Sequence, residues 1–282
     1  MNISKLGIVG SGIMGSGIAE VAAKAGVDVV LRSRKQESAD AMVASLEKSL
    51  AKQVGRGKLE EQAAKEISAR VSATDDLQAL ADCDLVLESV VEDLAVKKEL
   101  FQRLDGIVKA EGILATNTST LAVVELAVST NRPEQVVGIH FFNPAPMMSL
   151  VEVIAPLTAS EATVAAAKEF ATACGKDVVE VKDRAGFIVN ALLFPYLNNA
   201  VRMLEAGTAS RDDIDTAMKG GCNFPMGPLA LLDLVGLDTS LSILDALYDE
   251  FRDPNYAALP LLRRMVSAGK LGRKSGTGFY SY

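Results

Sequence analysis

Tryptophan is absent from the 282 residues, histidine occurs once, and cysteine three times. The three thiols, Cys83, Cys174 and Cys222, are widely scattered and form neither a CxxC pair nor a metal-ligand spacing. That excludes a disulfide framework and a cysteine metal site, and makes a reducing cytoplasm the expected compartment. No segment approaches the ~20 uninterrupted apolar residues of a membrane span. A strand beginning near residue 5 leaves no room for a signal peptide, so no membrane partner is expected. Basic blocks are missing too. With a formal charge of −7, nucleic acid is not expected as the main partner, although a local basic patch can still bind a phosphorylated ligand. What is present, 49% hydrophobic and 23% charged residues, suits a globular chain of one large and one smaller domain.

The lone imidazole is the natural place to look for chemistry near neutral pH. His140 stands at the end of an apolar run, Val136 to Phe142, that reads as a buried strand. Glu152 interrupts a second short apolar run, Leu150 to Ile154, and an acid there needs a partner. A base and the group that orients it have this pattern. A structural histidine is the plainer alternative.

Read in order, Lys5 to Val9 is a short strand that runs into Gly10-Ser11-Gly12-Ile13-Met14-Gly15 and then a helix to about Ala25. Strand, glycine turn and helix together make a dinucleotide site. Gly10 permits the tight turn, Gly12 lets the backbone approach a pyrophosphate, and Gly15 allows helix to pack on strand. The second strand, Val27 to Leu31, ends in Arg32-Ser33-Arg34, where a ribose-binding acid is usual and none occurs. A hydroxyl between two guanidinium groups suits a 2′-phosphate, so NADP(H) is favoured over NAD(H); two solvated arginines are the alternative. From Ser38 to about Ser68 the pattern predicts two helices projecting from the sheet. Lys48, Lys52 and Arg56, at i, i+4 and i+8, then share one helical stripe, either solvated or a handle for an anionic substrate.

Further strand-like runs at Asp84 to Val90, Ile113 to Thr116 and Val136 to Phe142 alternate with helical segments. This predicts a Rossmann-type, doubly wound, largely parallel α/β sheet. Ligands bind beyond the carboxyl ends of such strands, which draws attention to Glu92, to Thr116 through Thr120, and to His140 with Asn143. Ser119 suits a helix cap as well as it suits substrate contact. A helix from Glu161 to Cys174 and a strand from Val178 to Val181 close the first domain, placed at residues 1–184. Helices take over in the second domain, 185–282. Its first helix sets Phe187, Asn190, Phe194, Leu197 and Val201 on one apolar stripe, so Asn190 is a buried amide in need of partners, and a ligand in an interdomain cleft is one candidate. A turn at Asn223 to Pro228 opens a long helix expected to reach Tyr248, and a Gly/Lys-rich tail ends in Gly276-Thr277-Gly278-Phe279-Tyr280.

Taken together, the glycine turn, Thr116-Asn117-Thr118-Ser119, His140-Phe141-Phe142-Asn143-Pro144, Leu150-Val151-Glu152-Val153, Gly186-Phe187-Ile188-Val189-Asn190, Pro225-Met226-Gly227-Pro228 and Gly272-Arg273-Lys274-Ser275-Gly276 resemble the 3-hydroxyacyl-CoA dehydrogenases over the whole chain. Within that family the likeness is to the short, monofunctional bacterial 3-hydroxybutyryl-CoA type. The resemblance implies that His140 is the catalytic base, Glu152 its orienting carboxylate, and Ser119 and Asn190 the groups that hold substrate oxygens. It implies cofactor contacts at Glu92, Lys97, Asn143 and Lys274, and coenzyme A contacts at Ser49 and Arg56, beside which Lys52 lies on the basic stripe. Ser33 departs from the family pattern, which has an acid there.

The expected reaction interconverts a 3-hydroxyacyl-CoA and its 3-ketoacyl-CoA with a nicotinamide cofactor and no metal. Two other readings remain open. A small-hydroxy-acid dehydrogenase shares the layout but typically uses a lysine early in its helical domain, and none occurs from Gly186 to Arg202. A non-catalytic, cofactor-binding protein of this fold has no need of the His140 and Glu152 pair. Met147, Met148 and Met226 suit an adaptable acyl pocket or plain core. An apolar helical second domain of this size makes a homodimer the expected assembly.

Overall fold

The computed structural model describes residues 3–282, and the chain divides after Asp183 into two compact units. The first alternates β1 (Lys5–Val9), α1 (Ile13–Lys24), β2 (Asp28–Arg32), α2 (Gln36–Val54), α3 (Glu61–Ala69), β3 (Val71–Thr74), β4 (Leu85–Glu88), α4 (Leu94–Asp105), β5 (Ile113–Thr116), α5 (Val123–Ala127), β6 (Val136–Phe141), β7 (Leu150–Ala155), α6 (Glu161–Ala173) and β8 (Asp177–Lys182). Its strands form one eight-stranded sheet in the order β3-β2-β1-β4-β5-β6-β7-β8. Every neighbouring pair is parallel except β6 and β7. The strand order reverses at β1, which opens the crevice in which such sheets bind dinucleotides.

The local sequence explains these elements. β4, β5 and β6 are buried at every position, as continuous apolar runs covered on both faces require. β3 has no such signature: Val-Ser-Ala-Thr lies half-exposed at the sheet edge, so sequence patterning does not single it out. The turn after β1 needs glycine at position 10, where φ is +141° and a Cβ would sit 2.2 Å from the Ser89 carbonyl oxygen. At Gly15 a Cβ would come within 2.7 Å of Met42 and 3.0 Å of the Gly10 carbonyl oxygen, so the missing side chain is what lets α1 close on the turn.

The helical pair α2 and α3 differs from expectation in two ways. It does not project clear of the sheet, because Met42, Leu46 and Leu50 at i, i+4 and i+8 are buried and α2 packs on α1 and β3. Nor do the three basic residues share one helix. α2 stops at Val54, and Arg56 falls in the following turn between Gly55 and Gly57, where Gly57 adopts φ +67°.

The second unit is helical: α7 (Val189–Glu205), α8 (Arg211–Cys222), α9 (Pro228–Val235), α10 (Leu237–Phe251) and α11 (Pro260–Ser267). The expected stripe is buried, with Phe194, Leu197 and Val201 inside. Phe187, however, precedes the helix in a left-handed conformation, φ 50°. The single helix expected through Tyr248 is two, because Gly236 at φ +102° breaks it between α9 and α10. Two buried aspartates tie this unit together. Asp215 accepts from the Leu229 and Ala230 amides and the Tyr280 hydroxyl. Asp233 accepts from the Phe279 and Tyr280 amides and the Tyr282 hydroxyl.

Candidate active site

The hairpin of β6 and β7 sets His140 directly opposite Glu152, so two residues twelve apart in sequence share one face of the sheet. The loop between them is pinned by Lys176, whose ammonium donates to the Ala145 and Met148 carbonyls at 2.6 and 2.8 Å. His140 Nδ1 lies 2.8 Å from Glu152 Oε2. Glu152 is fully enclosed and His140 4% exposed, so the carboxylate oxygen is placed to orient the imidazole through Nδ1. The Phe142 ring packs at 4.5 Å between centroids against the imidazole. The other nitrogen, Nε2, lies 3.2 Å from Ser119 Oγ.

Ser119 reaches this position from the end of β5. Asn117 Oδ1 accepts the Phe141 amide at 2.8 Å, which fastens the loop after β5 to the strand bearing His140. Glu92 Oε1 accepts from the Ser119 and Thr120 amides at 2.9 and 3.3 Å and from the Thr118 hydroxyl. Burial alone would raise the Glu92 pKa, but the Lys97 ammonium, the Thr118 hydroxyl and the Ser119 amide outweigh it and hold the carboxyl below its ordinary range. Lys97 is itself buried, paired with Glu92 Oε2 and with both oxygens of Glu88, each at 2.9 Å. Asp183 caps α5 by accepting the Val123 and Val124 amides at 2.9 and 2.7 Å. Neither Glu88 nor Asp183 was singled out from the sequence. For Glu88 a signal existed, since Leu-Val-Leu-Glu closes an apolar strand with an acid as Leu-Val-Glu-Val does at Glu152.

The nucleotide end fits a dinucleotide. No side chain caps the α1 N-terminus, its first turn carries no acid, and a Cβ at Gly12 would meet nothing within 4 Å. The amides of Ile13, Met14 and Gly15 therefore begin a helix whose positive end has no internal anion. At the end of β2, Ser33 is buried and donates its amide to the Thr74 carbonyl. Arg34 is exposed. Arg32 donates to the Asp75 carbonyl at 3.2 Å; burial and the nearby Arg103 lower its pKa, leaving a charged guanidinium turned to the backbone.

A pocket of about 140 Å³ lies between α1, α2 and the loop after His140, lined by Ile13, Ser16, Glu20, Ser45, Ser49 and Pro144 among others. Ser49 thus borders this pocket, whereas Lys52 and Arg56 are exposed beyond it. Asn143 is exposed beside Pro144. In the helical unit, Asn190 is 8% exposed in the first turn of α7, and Lys274 is paired with Asp238 at 2.6 Å. Met147 and Met148 are exposed in the β6–β7 loop. Met226 instead borders a cavity of about 410 Å³ in the helical unit with Asp215, Lys219, Arg273 and Tyr280.

Comparison with known proteins agrees with this geometry. Residues 5–184 match the model of the 3-hydroxyacyl-CoA dehydrogenase NAD binding domain, and residues 186–282 match that of its C-terminal domain. The chain is 49% identical to a 3-hydroxybutyryl-CoA dehydrogenase of Clostridioides difficile, over 99% of both chains. The crystal structure of FadB2 from M. tuberculosis superposes with a TM-score of 0.98 at 48% identity, covering all of both chains. That of (S)-3-hydroxybutyryl-CoA dehydrogenase PaaH1 from Ralstonia eutropha gives 0.97 at 41% identity, over 100% and 99%. With a buried imidazole–carboxylate pair at the end of a dinucleotide-binding sheet and both domains matched, the chain belongs to the 3-hydroxyacyl-CoA dehydrogenase family and is an oxidoreductase that uses a nicotinamide cofactor.

Proposed function

We propose that the protein interconverts 3-hydroxybutyryl-CoA and acetoacetyl-CoA, and that the observation carrying this reading is the line Glu152–His140–Ser119. In oxidation His140 Nε2 takes the proton of the substrate 3-hydroxyl. Glu152 holds the proton on Nδ1 and stabilises the imidazolium. The bound nicotinamide supplies the hydride acceptor for C3. In reduction the charged His140 returns its proton to the 3-keto oxygen. Ser119 and Asn190 hydrogen-bond the reacting oxygen or the thioester carbonyl and hold C3 in place. The amides of Ile13, Met14 and Gly15 at the Gly10–Gly12 turn hold the pyrophosphate, with Glu92, Lys97, Asn143 and Lys274 serving the nicotinamide end.

The coenzyme A arm is assigned to the pocket beside Pro144. Ser45 and Ser49 in this pocket, and Lys52 further along α2, fall at i, i+4 and i+7, so one helix face leads from the His140 loop to the exposed cations Lys52 and Arg56. Phosphates suit those cations. Ser33 and Arg34 favour NADP(H), since a serine at the position of the usual ribose-binding acid does not repel a 2′-phosphate. The protein is assigned to the cytoplasm, with Cys83, Cys174 and Cys222 free thiols. No helix of the described residues is long and apolar enough to cross a membrane. Exposed Leu192, Met203, Phe224 and Leu234 on the helical unit support a homodimer, which light scattering tests.

Steady-state kinetics with acetoacetyl-CoA and longer 3-ketoacyl-CoAs, each with NADH and NADPH, tests the assignment. We expect turnover of acetoacetyl-CoA, with kcat/KM for NADPH at least equal to that for NADH, and a shift toward NADH in Ser33→Asp. No turnover of any 3-ketoacyl-CoA would overturn the function. A parent strongly preferring NADH would overturn the cofactor assignment alone.

A further inference from the structure

Glu92 divides its two oxygens. Oε1 gathers the turn from Thr118 to Thr120, including the Ser119 amide at 2.9 Å, while Oε2 meets the Lys97 ammonium at 2.9 Å. An ammonium has three protons, and in Lys97 they face three carboxylate oxygens, since Glu88 Oε1 and Oε2 also lie at 2.9 Å. Lys97 is 1% exposed and Glu88 0%. Glu88 is in turn fixed by the Val90 amide at 2.6 Å and the Thr116 hydroxyl at 2.8 Å, where β4 and β5 end. A rigid line of charge therefore runs from the strand ends through Lys97 and Glu92 to the backbone of Ser119, whose hydroxyl touches His140.

Buried ions are costly, and apolar residues of similar volume at both positions are often as stable or more so. A lysine and glutamate kept in the interior, with the ammonium protons spent on Glu88 and Glu92 and Glu88 anchored to the strand ends, call for a role other than packing. We infer that Glu88 and Lys97 are positioning residues: they hold Glu92 so that it sets the Thr118–Thr120 turn and thereby aims Ser119 Oγ at His140 Nε2. On this inference Lys97 serves the nicotinamide end through Glu92, which its ammonium holds. The inference rests on the reading of Ser119 and His140 as the reacting pair.

Because His140 is the only imidazole, its nitrogen resonances in ¹⁵N-histidine-labelled protein report on this contact without any substrate. The informative variant is Glu88→Gln/Lys97→Met, which removes both charges and leaves no ion of the pair orphaned. We expect its Nε2 resonance to move in the direction seen in Ser119→Ala, and to move no further when the three substitutions are combined. In turnover, kcat should fall about tenfold, the scale on which small misplacements act, and the same pair should cost under about twofold in the Ser119→Ala background. An unmoved His140 resonance, or a full loss that persists without the Ser119 hydroxyl, would overturn the inference. Should the double variant not fold, Glu88→Gln alone leaves Lys97 and Glu92 charge-balanced and should shift the same resonance less far. Absence of turnover in the parent would count against the proposed reaction, while the resonance still decides the positioning role.

Discussion

The two units each bury carboxylates, and they use them differently. In the helical unit Asp233 receives two backbone amides and a tyrosine hydroxyl from the tail, and Asp215 receives two amides that open α9 and another tyrosine. Partners of that kind do not titrate near neutral pH, and the bonds join segments distant in sequence. They are ties. In the nucleotide-binding unit Glu152 faces an imidazole, a side chain able to take up and return a proton. The lesson is that depth of burial does not distinguish a structural acid from a functional one; the chemistry of the partner does.

The comparison breaks first at His140. His140→Gln should lower kcat at least ~10²-fold, the usual contribution of general acid–base catalysis, with little change in Tm or cofactor affinity. Near-normal turnover would place His140 among the structural residues and erase the contrast. Next comes a matched pair of amide substitutions. Glu152→Gln should keep the fold and lower kcat by about tenfold or more, because an amide cannot stabilise the imidazolium. Asp233→Asn should do the reverse. Its new NH₂ opposes a backbone donor, leaving a buried group unsatisfied at a cost of about 1–3 kcal/mol, and Tm should fall by several degrees while kcat at 25 °C stays within about twofold. Thermal melts and kinetics on the two variants decide between these outcomes, and equal behaviour would remove the distinction.

What was legible in the sequence follows the same division. The alternating strands and helices could be read because buried parallel strands are continuous apolar runs. His140 and Glu152 stood out because a polar residue inside such a run needs a reason. Glu88 ends its strand in the same way, but the partner that explains it, Lys97, lies on an ordinary amphipathic helix where a lysine draws no notice. β3 passed unmarked as a half-exposed edge strand. The break at Gly236 was hidden because apolar periodicity continues on both sides of it, and only the backbone angle reveals that α9 and α10 are separate. Asp215 and Asp233 carry no mark in the sequence, since their partners lie 14 to 65 residues away.

A smaller effect is expected outside the buried network. If Lys52 and Arg56 serve the phosphates of coenzyme A, replacing both with alanine should raise KM for the thioester by roughly tenfold and flatten its salt dependence, since exposed charges act weakly and are screened. Cofactor KM should hardly move. Equal loss toward a truncated thioester lacking the nucleotide would show that these cations are solvated surface.

The smallest effect, and the one that sharpens the contrast between units most directly, is a labelling pattern. Cys83 is buried and Cys174 half-buried in the nucleotide-binding unit, whereas Cys222 is exposed at the end of α8. Burial pushes the Cys83 thiol up to about 11 and the Cys174 thiol up to about 12. A raised thiol pKa keeps the group protonated, so at pH 8 the reactive thiolate should be on the order of 0.1% of Cys83 and 0.01% of Cys174. Unfolding returns both toward about 8.5 and exposes them. Alkylation of the native protein at pH 8 should therefore add one label quickly, at Cys222, with no loss of turnover. In Asp233→Asn the fast label should still be confined to Cys222, because the broken ties lie within the helical unit, and mass spectrometry of partly labelled protein reads this directly. Three labels acquired together in that variant would mean that Asp233 supports the whole chain rather than the unit that contains it.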